Sequence, residues 1–427
     1  MTFLRLFPAG GAVLAALAVA ACSGGGTMAT TAAATGSASS GAGSGGGGTG
    51  GGTGGGPFMP GTHAILPQVV SLGGSVLKSP KVQAITYASE PKAVDIDAFL
   101  QELTKTTYWS QTTAEYGVGP LTVLPTIKRN EAPPATLMDL DLQNDLFTNT
   151  SGASPAWGTA DPSTIYLFIL PPGTIIDAHG SCCTSFDGYH QEATAGAGSV
   201  AYGVVCSCGG MFDGPNITDV QQVTVAMSHE LVEVATDPFV QSNPAFGQTD
   251  AADIIWTLGA GGEVADMCEF NANAFVVPAD GKYMVQQSWS NAAAKASLDP
   301  CVPHPSNAPY FGATAVLPDM LHVKGVASKT KGVKLSVGMS ATVDVQLFSD
   351  APTKGPFKVT PLDFSQLTNG GSPHLELTLD KSTGNNGDTL KLTIKVLVAD
   401  ATLGAEPFFL SSTLGKDESL WMGAVGN

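Results

Sequence analysis

A mixed-sheet α/β or α+β domain followed by an all-β, immunoglobulin-like sandwich is the architecture predicted by this 427-residue sequence. Three observations carry it. A continuous apolar run at 163–170 (S-T-I-Y-L-F-I-L), stopped by Pro171-Pro172, has the length and composition of a buried central strand. Helical periodicities alternate with strand-like segments between 80 and 303, the pattern of a layered α/β or α+β structure. From Val333 onward that alternation stops. Short period-two segments separated by turns then continue for about 100 residues, the size and rhythm of a sandwich.

The chain opens, at residues 1–22, with what reads as a lipoprotein signal peptide. Arg5 supplies a sparse positive region, and the apolar run from Gly11 to Ala21 is too short for a stable bilayer-spanning helix. It closes on Val19-Ala20-Ala21-Cys22, which resembles a bacterial lipobox, so Cys22 is the expected lipid attachment and cleavage site. Ser23 resembles the pattern sent to an outer membrane. Residues 23–57 are almost entirely Gly, Ser, Ala and Thr without charge, a composition that cannot form a core. Such a tether reaches on the order of 30 Å over roughly 34 residues. Lipid and tether predict a monomer exported to the cell surface or outer membrane and held by its anchor.

In the first domain, expected over 61–303, residues 81–89 (K-V-Q-A-I-T-Y-A-S) alternate as a strand. Residues 95–116 read as a helix with Ile96, Phe99, Leu100 and Leu103 periodic, and 135–147 as a second helix. Strands follow at 163–170 and 200–206. A third helix starts at the capping box Thr218-Asp219-Val220-Gln221 and ends at Pro238. Val220, Val223, Met227, Leu231 and Val234 form its apolar stripe. The opposite side, with Gln222, Val225, Ala226 and Val232, is also mostly apolar, so this helix is expected to be buried on both sides. The second domain, expected over 310–427, shows strand patterns at 341–348, 357–362, 374–379 and 389–398. It has no cysteine and no dense polar cluster, and reads as a binding or spacing module.

Net charge is −17 with only 19 Lys and Arg, which argues against nucleic acid or anionic lipid as a partner. Six cysteines remain besides Cys22, an even number that reads as three disulfides in an exported chain. Adjacent Cys182 and Cys183 are expected to reach Cys206 and Cys208, leaving Cys268 for Cys301. A four-thiolate zinc site is the rival, disfavoured by the compartment and by C-C and C-x-C spacing in place of C-x-x-C.

Five segments follow one another in the first domain: Tyr108-Trp109 with Glu115-Tyr116-Gly117-Val118-Gly119, Gly188-Tyr189-His190, 228–238 (S-H-E-L-V-E-V-A-T-D-P), 262–268 (G-E-V-A-D-M-C) and 283–291 (Y-M-V-Q-Q-S-W-S-N) before Cys301. In order and spacing this set resembles the EXORDIUM or phosphate-induced secreted family across about residues 80–302. The resemblance implies an extracellular or cell-wall setting more strongly than it implies catalysis.

Within 228–238 lies H-E-x-x-E, one residue from the H-E-x-x-H of zinc peptidases. His229 and Glu233, four residues apart, share a helix face and are the first two expected metal ligands. Glu230 is the expected catalytic base, taking a proton from the attacking water. A catalytic zinc needs a third protein ligand. Glu263 is the first choice, Asp266 the second or a group orienting His229, and His190 the third. Asp237 reads as a helix-terminating Asx turn. Zinc is the expected ion, and calcium the alternative for so oxygen-rich a set. Two functions follow: a zinc-dependent, peptidase-like hydrolase acting on a peptide, or a non-enzymatic surface protein that binds a cell-wall ligand and uses the helix structurally.

Overall fold

A computed structural model describes residues 58–426 apart from 89, 178, 196–197, 210–215, 305–307, 370–371 and 401. The signal peptide, Cys22 and the tether fall outside the described residues. The chain is of mixed α/β type, with strands outnumbering helices.

The first domain is built on strands β1 (Lys81–Thr86), β2 (Thr164–Leu170), β3 (Gly188–Ala195) and β4 (Gly198–Cys206). They stand in the order β1-β2-β4-β3, with the short strands Thr122–Val123 and Ile127–Lys128 beyond β1. β1, β2 and β4 run parallel, and β3 pairs antiparallel with β4. Every residue of β2 is buried, as a central strand covered on both faces must be. Side chains alternate between two cores. Val82, Ala84, Ile165, Leu167 and Ile169 face one, and Ile85, Tyr166, Phe168 and Leu170 the other.

Helices α1 (Ala93–Leu103) and α4 (Asp219–Thr236) cover the first face, and α3 (Asp139–Thr150) the second. The capping box of α4 forms as expected: Gln221 N–H donates to Thr218 Oγ1, and Thr218 N–H donates to Gln221 Oε1. The helix expected over 95–116 is broken. α2 (Tyr108–Thr113) is separate from α1, because Thr104, Thr106 and Thr107 between them are poor helix formers. Asp280 accepts the Thr107 N–H there. The helix expected from 135 starts only at Asp139, since Thr136–Leu137 pairs as a strand with Ile175–Ile176.

All three expected disulfides are present: Cys182–Cys206, Cys183–Cys208 and Cys268–Cys301. They belong to an oxidising setting outside the reducing cytosol. Among the described residues, no helix is long and apolar enough to cross a membrane.

The second domain consists of two sheets. One orders Phe311–Ala315, Ser340–Ser349, Thr389–Val396 and Leu375–Leu379. The other orders Asp319–His322, Lys329–Lys334, Asp417–Gly426, Ala405–Leu414, Phe357–Asp363 and Thr383–Gly384. Val345, Leu347, Leu392 and Ile394 of the first and Phe408, Leu410, Met422 and Ala424 of the second fill the core. The two longest strands of the second sheet, Ala405–Leu414 and Asp417–Gly426, were not among the expected segments.

The chain enters across both domains. Gly61 N–H donates to Asn386 Oδ1, His63 stacks on Phe348 and Ala64 N–H donates to Thr314 Oγ1, all in the second domain. The expected start of the first domain is Gly61; residues 61–64 contact the second domain, and Val69–Val70 then pairs with Gln248–Thr249 of the first. Helix α5 (Ile254–Ala260) seals the joint, with Trp256 Nε1 donating to Met422 O.

Candidate metal centre

Cross-strand partners share a face of a sheet, and His190 on β3 stands directly opposite Gly203 on β4. Both lie under α4. A Cβ at Gly203 would sit 3.9 Å from Glu230 Cβ, and one at Gly188 would sit 2.4 Å from Glu230 Oε1. Glycine at 188 therefore leaves the space that the Glu230 carboxyl fills on its way to His190. From α4 the next acid, Glu233, points to the same place. The turn at Gly261-Gly262, both with positive φ, then delivers Glu263 and α6 (Asp266–Glu269). Cys268, bonded to Cys301, fixes α6 two residues after Asp266.

Two clusters result, and Glu233 belongs to both. His229 Nε2 lies 3.1 Å from Glu233 Oε2 and 3.6 Å from Asp266 Oδ1. His190 Nδ1 lies 3.6 Å from Glu230 Oε2 and 3.7 Å from Glu233 Oε2, while its Nε2 lies 3.6 Å from Glu263 Oε1. In each of the triads His229–Glu233–Asp266 and His190–Glu230–Glu233 the ligand atoms lie within 4.8 Å of one another. Donors about 2.1 Å from a tetrahedral zinc stand about 3.4 Å apart, so both triads have the spacing an ion needs.

The sequence-expected ligands are thus brought together with one exchange of neighbours. His229 and Glu233 meet as expected, but the acid beside His229 is Asp266. Glu263, the first choice for third ligand, sits instead at His190. Glu230 faces the sheet and His190. Asp237 accepts from the Ala245 N–H across a loop.

The site is nearly dry. Side-chain exposure is 3% for Glu233, 5% for Glu230 and His190, 15% for His229, 17% for Asp266 and 23% for Glu263. Burial pushes the carboxyls of Glu230, Glu263 and Asp266 above the usual range. Glu233 is the exception: burial works against its charge, but His229 and His190 hold it below the usual range. Burial would also lower His190, yet Glu263, Glu230 and Glu233 together raise it to about 10. His190 Nε2 and Glu230 Oε2 are buried without a hydrogen-bond partner. Unmet polar atoms of this kind in a cluster of charges are costly unless a cation or proton is supplied.

Sequence reasoning placed His190 last among the third-ligand choices. The signal it passed over was glycine at 188, two residues before a histidine on a strand, which marks a close approach from the neighbouring layer.

No protein-family model matches this chain, and no characterised protein matches it in sequence. Among solved structures it is similar to S-layer protein SbsC domains 4 and 5, at 14% identity over 39% of this chain and 95% of that one, with a TM-score of 0.17. It is similar to titin M4 at 13% identity over 27% of this chain and 94% of that one, with a TM-score of 0.16. The S-layer protein rSbsC(31-844) matches at 12% identity over 36% of this chain and 25% of that one, with a TM-score of 0.17. Likeness at this level carries no argument about function.

Proposed function

We propose that the first domain is a divalent-metal-dependent hydrolase, peptidase-like in its H-E-x-x-E framework. Its place is outside the cell, held by a lipid at Cys22 and the tether of 23–57. The observation that carries this reading is the arrival of Asp266 beside His229 as a third ligand to the pair on α4. His229, Glu233 and Asp266 would hold the ion, and histidine nitrogen at this spacing suits zinc better than calcium. A bound zinc supplies Lewis acidity to the bond being cleaved.

The proton is handled by this chain's own carboxyls. Glu263, the most open acid of the set, would take a proton from the attacking water and return it to the leaving amine. Glu230, the base expected from the motif, is turned toward the sheet and His190, away from the open side. The EXORDIUM-like segments and a second domain of immunoglobulin-like size suit an extracellular or cell-wall setting, with the sandwich as spacer or binding module.

A second reading, a non-enzymatic surface protein braced by a structural ion, is favoured by how dry Glu230, Glu233 and His190 are. Metal content by mass spectrometry and hydrolysis of a mixed peptide library, on the wild type, His229→Ala and Glu263→Gln, separate the two. Hydrolysis expected in the wild type should vanish in both variants, with metal lowered only in His229→Ala. Stoichiometric metal without hydrolysis would leave the second reading with its ion; no bound metal would remove the hydrolase and leave a surface protein that uses the helix structurally.

A further inference from the structure

The cluster gathers more carboxyl groups than the ligand set of one ion uses. Glu230, Glu233, Glu263, Asp266 and Asp237 all act on one another or on the two histidines. Among the described residues no lysine or arginine is paired with any of these five acids. A single divalent ion at His229, Glu233 and Asp266 would occupy the first triad and leave His190 and Glu230 of the second with unpartnered buried atoms. Buried polar atoms left in that state are costly.

The geometry says where the second charge belongs. The backbone N–H of Asp266 donates to Glu233 Oε1 at 3.1 Å, which fixes the carboxylate and turns Oε2 toward both histidines. Oε2 then lies between His229 Nε2 and His190 Nδ1. On the His190 side, Glu230 Oε2 is the buried oxygen left without a hydrogen-bond partner. Glu263 closes that side from His190 Nε2.

We infer that the centre is dinuclear, with Glu233 Oε2 bridging one divalent cation held by His229 and Asp266 and a second held by His190 and Glu230. Paired ions in hydrolytic sites stand about 3.5–4 Å apart, a separation that one bridging carboxylate oxygen spans. The inference rests on the metal-dependent reading above and adds a function for Glu230 and His190, which that reading leaves idle.

The test counts ions rather than turnover. Full-length protein loaded with excess Zn²⁺ and desalted is expected to retain two equivalents per chain by mass spectrometry. His190→Ala and Glu230→Gln should retain one, as should Asp266→Asn, while Glu233→Gln should fall below one. Protein loaded with Mn²⁺ should give an exchange-coupled electron paramagnetic resonance spectrum, collapsing to the six-line pattern of an isolated ion in Glu230→Gln. One zinc per wild-type chain with an uncoupled Mn²⁺ spectrum would overturn the dinuclear inference and leave the hydrolase reading standing. No retained metal would overturn both. Should His190→Ala fail to fold, the wild-type stoichiometry and spectrum still decide.

Discussion

The two faces of the central sheet handle the acids beneath their helices in opposite ways. Toward α3, strand β3 sends Tyr189, whose hydroxyl donates to Asp139 Oδ1 at 2.7 Å. Tyr202 and Gln143 donate to the same carboxylate, and His179 stacks on the Tyr189 ring. One acid there meets three neutral donors. Toward α4, the next residue of the same strand, His190, enters a group of carboxyls with too few donors, and polar atoms are left over. A polar network that only supports a fold is closed by neutral hydrogen bonds. The one left open at such cost is the place where the proposed cation would be held.

Removing the hub of the open face should have the largest effect. Glu233→Gln is expected to lose bound metal and peptide hydrolysis together, measured by mass spectrometry and a fluorogenic peptide assay. Metal retained at the wild-type level would mean that Glu233 is no hub. Next comes the brace behind Asp266. Replacing both Cys268 and Cys301 by serine opens a separation of 33 residues, which chain entropy values at about 4 kcal/mol. Chemical denaturation should show that loss, and titration with Zn²⁺ a weakened affinity. An unchanged affinity would detach the loop from the site.

The closed face supplies the contrast. Tyr189→Phe removes one hydrogen bond to a carboxylate and should cost about 1.5 kcal/mol in denaturant while leaving metal content untouched. A drop in metal would show that the faces are coupled, and the comparison would fail. The smallest effect is expected at the joint between domains. His304 Nδ1 lies 2.6 Å from Asp299 Oδ2, and that close carboxylate raises the histidine to about 9 despite partial burial. A raised histidine stabilises fully below its unfolded value near 6.5 and loses that contribution as pH climbs through about 9. Thermal scans should show a small decline across this window that His304→Ala abolishes; an identical slope in the variant would exclude His304 as its source.

How far the sequence spoke depended on whether the signal was local. The run at 164–170, the Thr218–Gln221 cap and the i,i+4 pair His229 and Glu233 are fixed by near neighbours, and each stands where its pattern put it. The order of the acids around His229 and His190 is not local. Glu263 and Asp266 lie three residues apart on a glycine turn, and only its tertiary path decides which one meets His229. Strand Gly188–Ala195 escaped because its inward positions are small or polar, leaving no apolar period. The closing hairpin at 405–426 escaped for the opposite reason. Ala405–Leu414 is buried through most of its length and shows no alternation.

The entry strand has a mechanical meaning. On the proposed anchoring through Cys22, the chain would be pulled through residue 58 whenever the surface and a bound ligand move apart. That load meets the bonds of Gly61 and Ala64 to the second domain before it reaches the pairing of Val69–Val70 with Gln248–Thr249. Under that load the strap would act as a fuse: tension would strip it from the sandwich before any force bears on the layer that carries the candidate site.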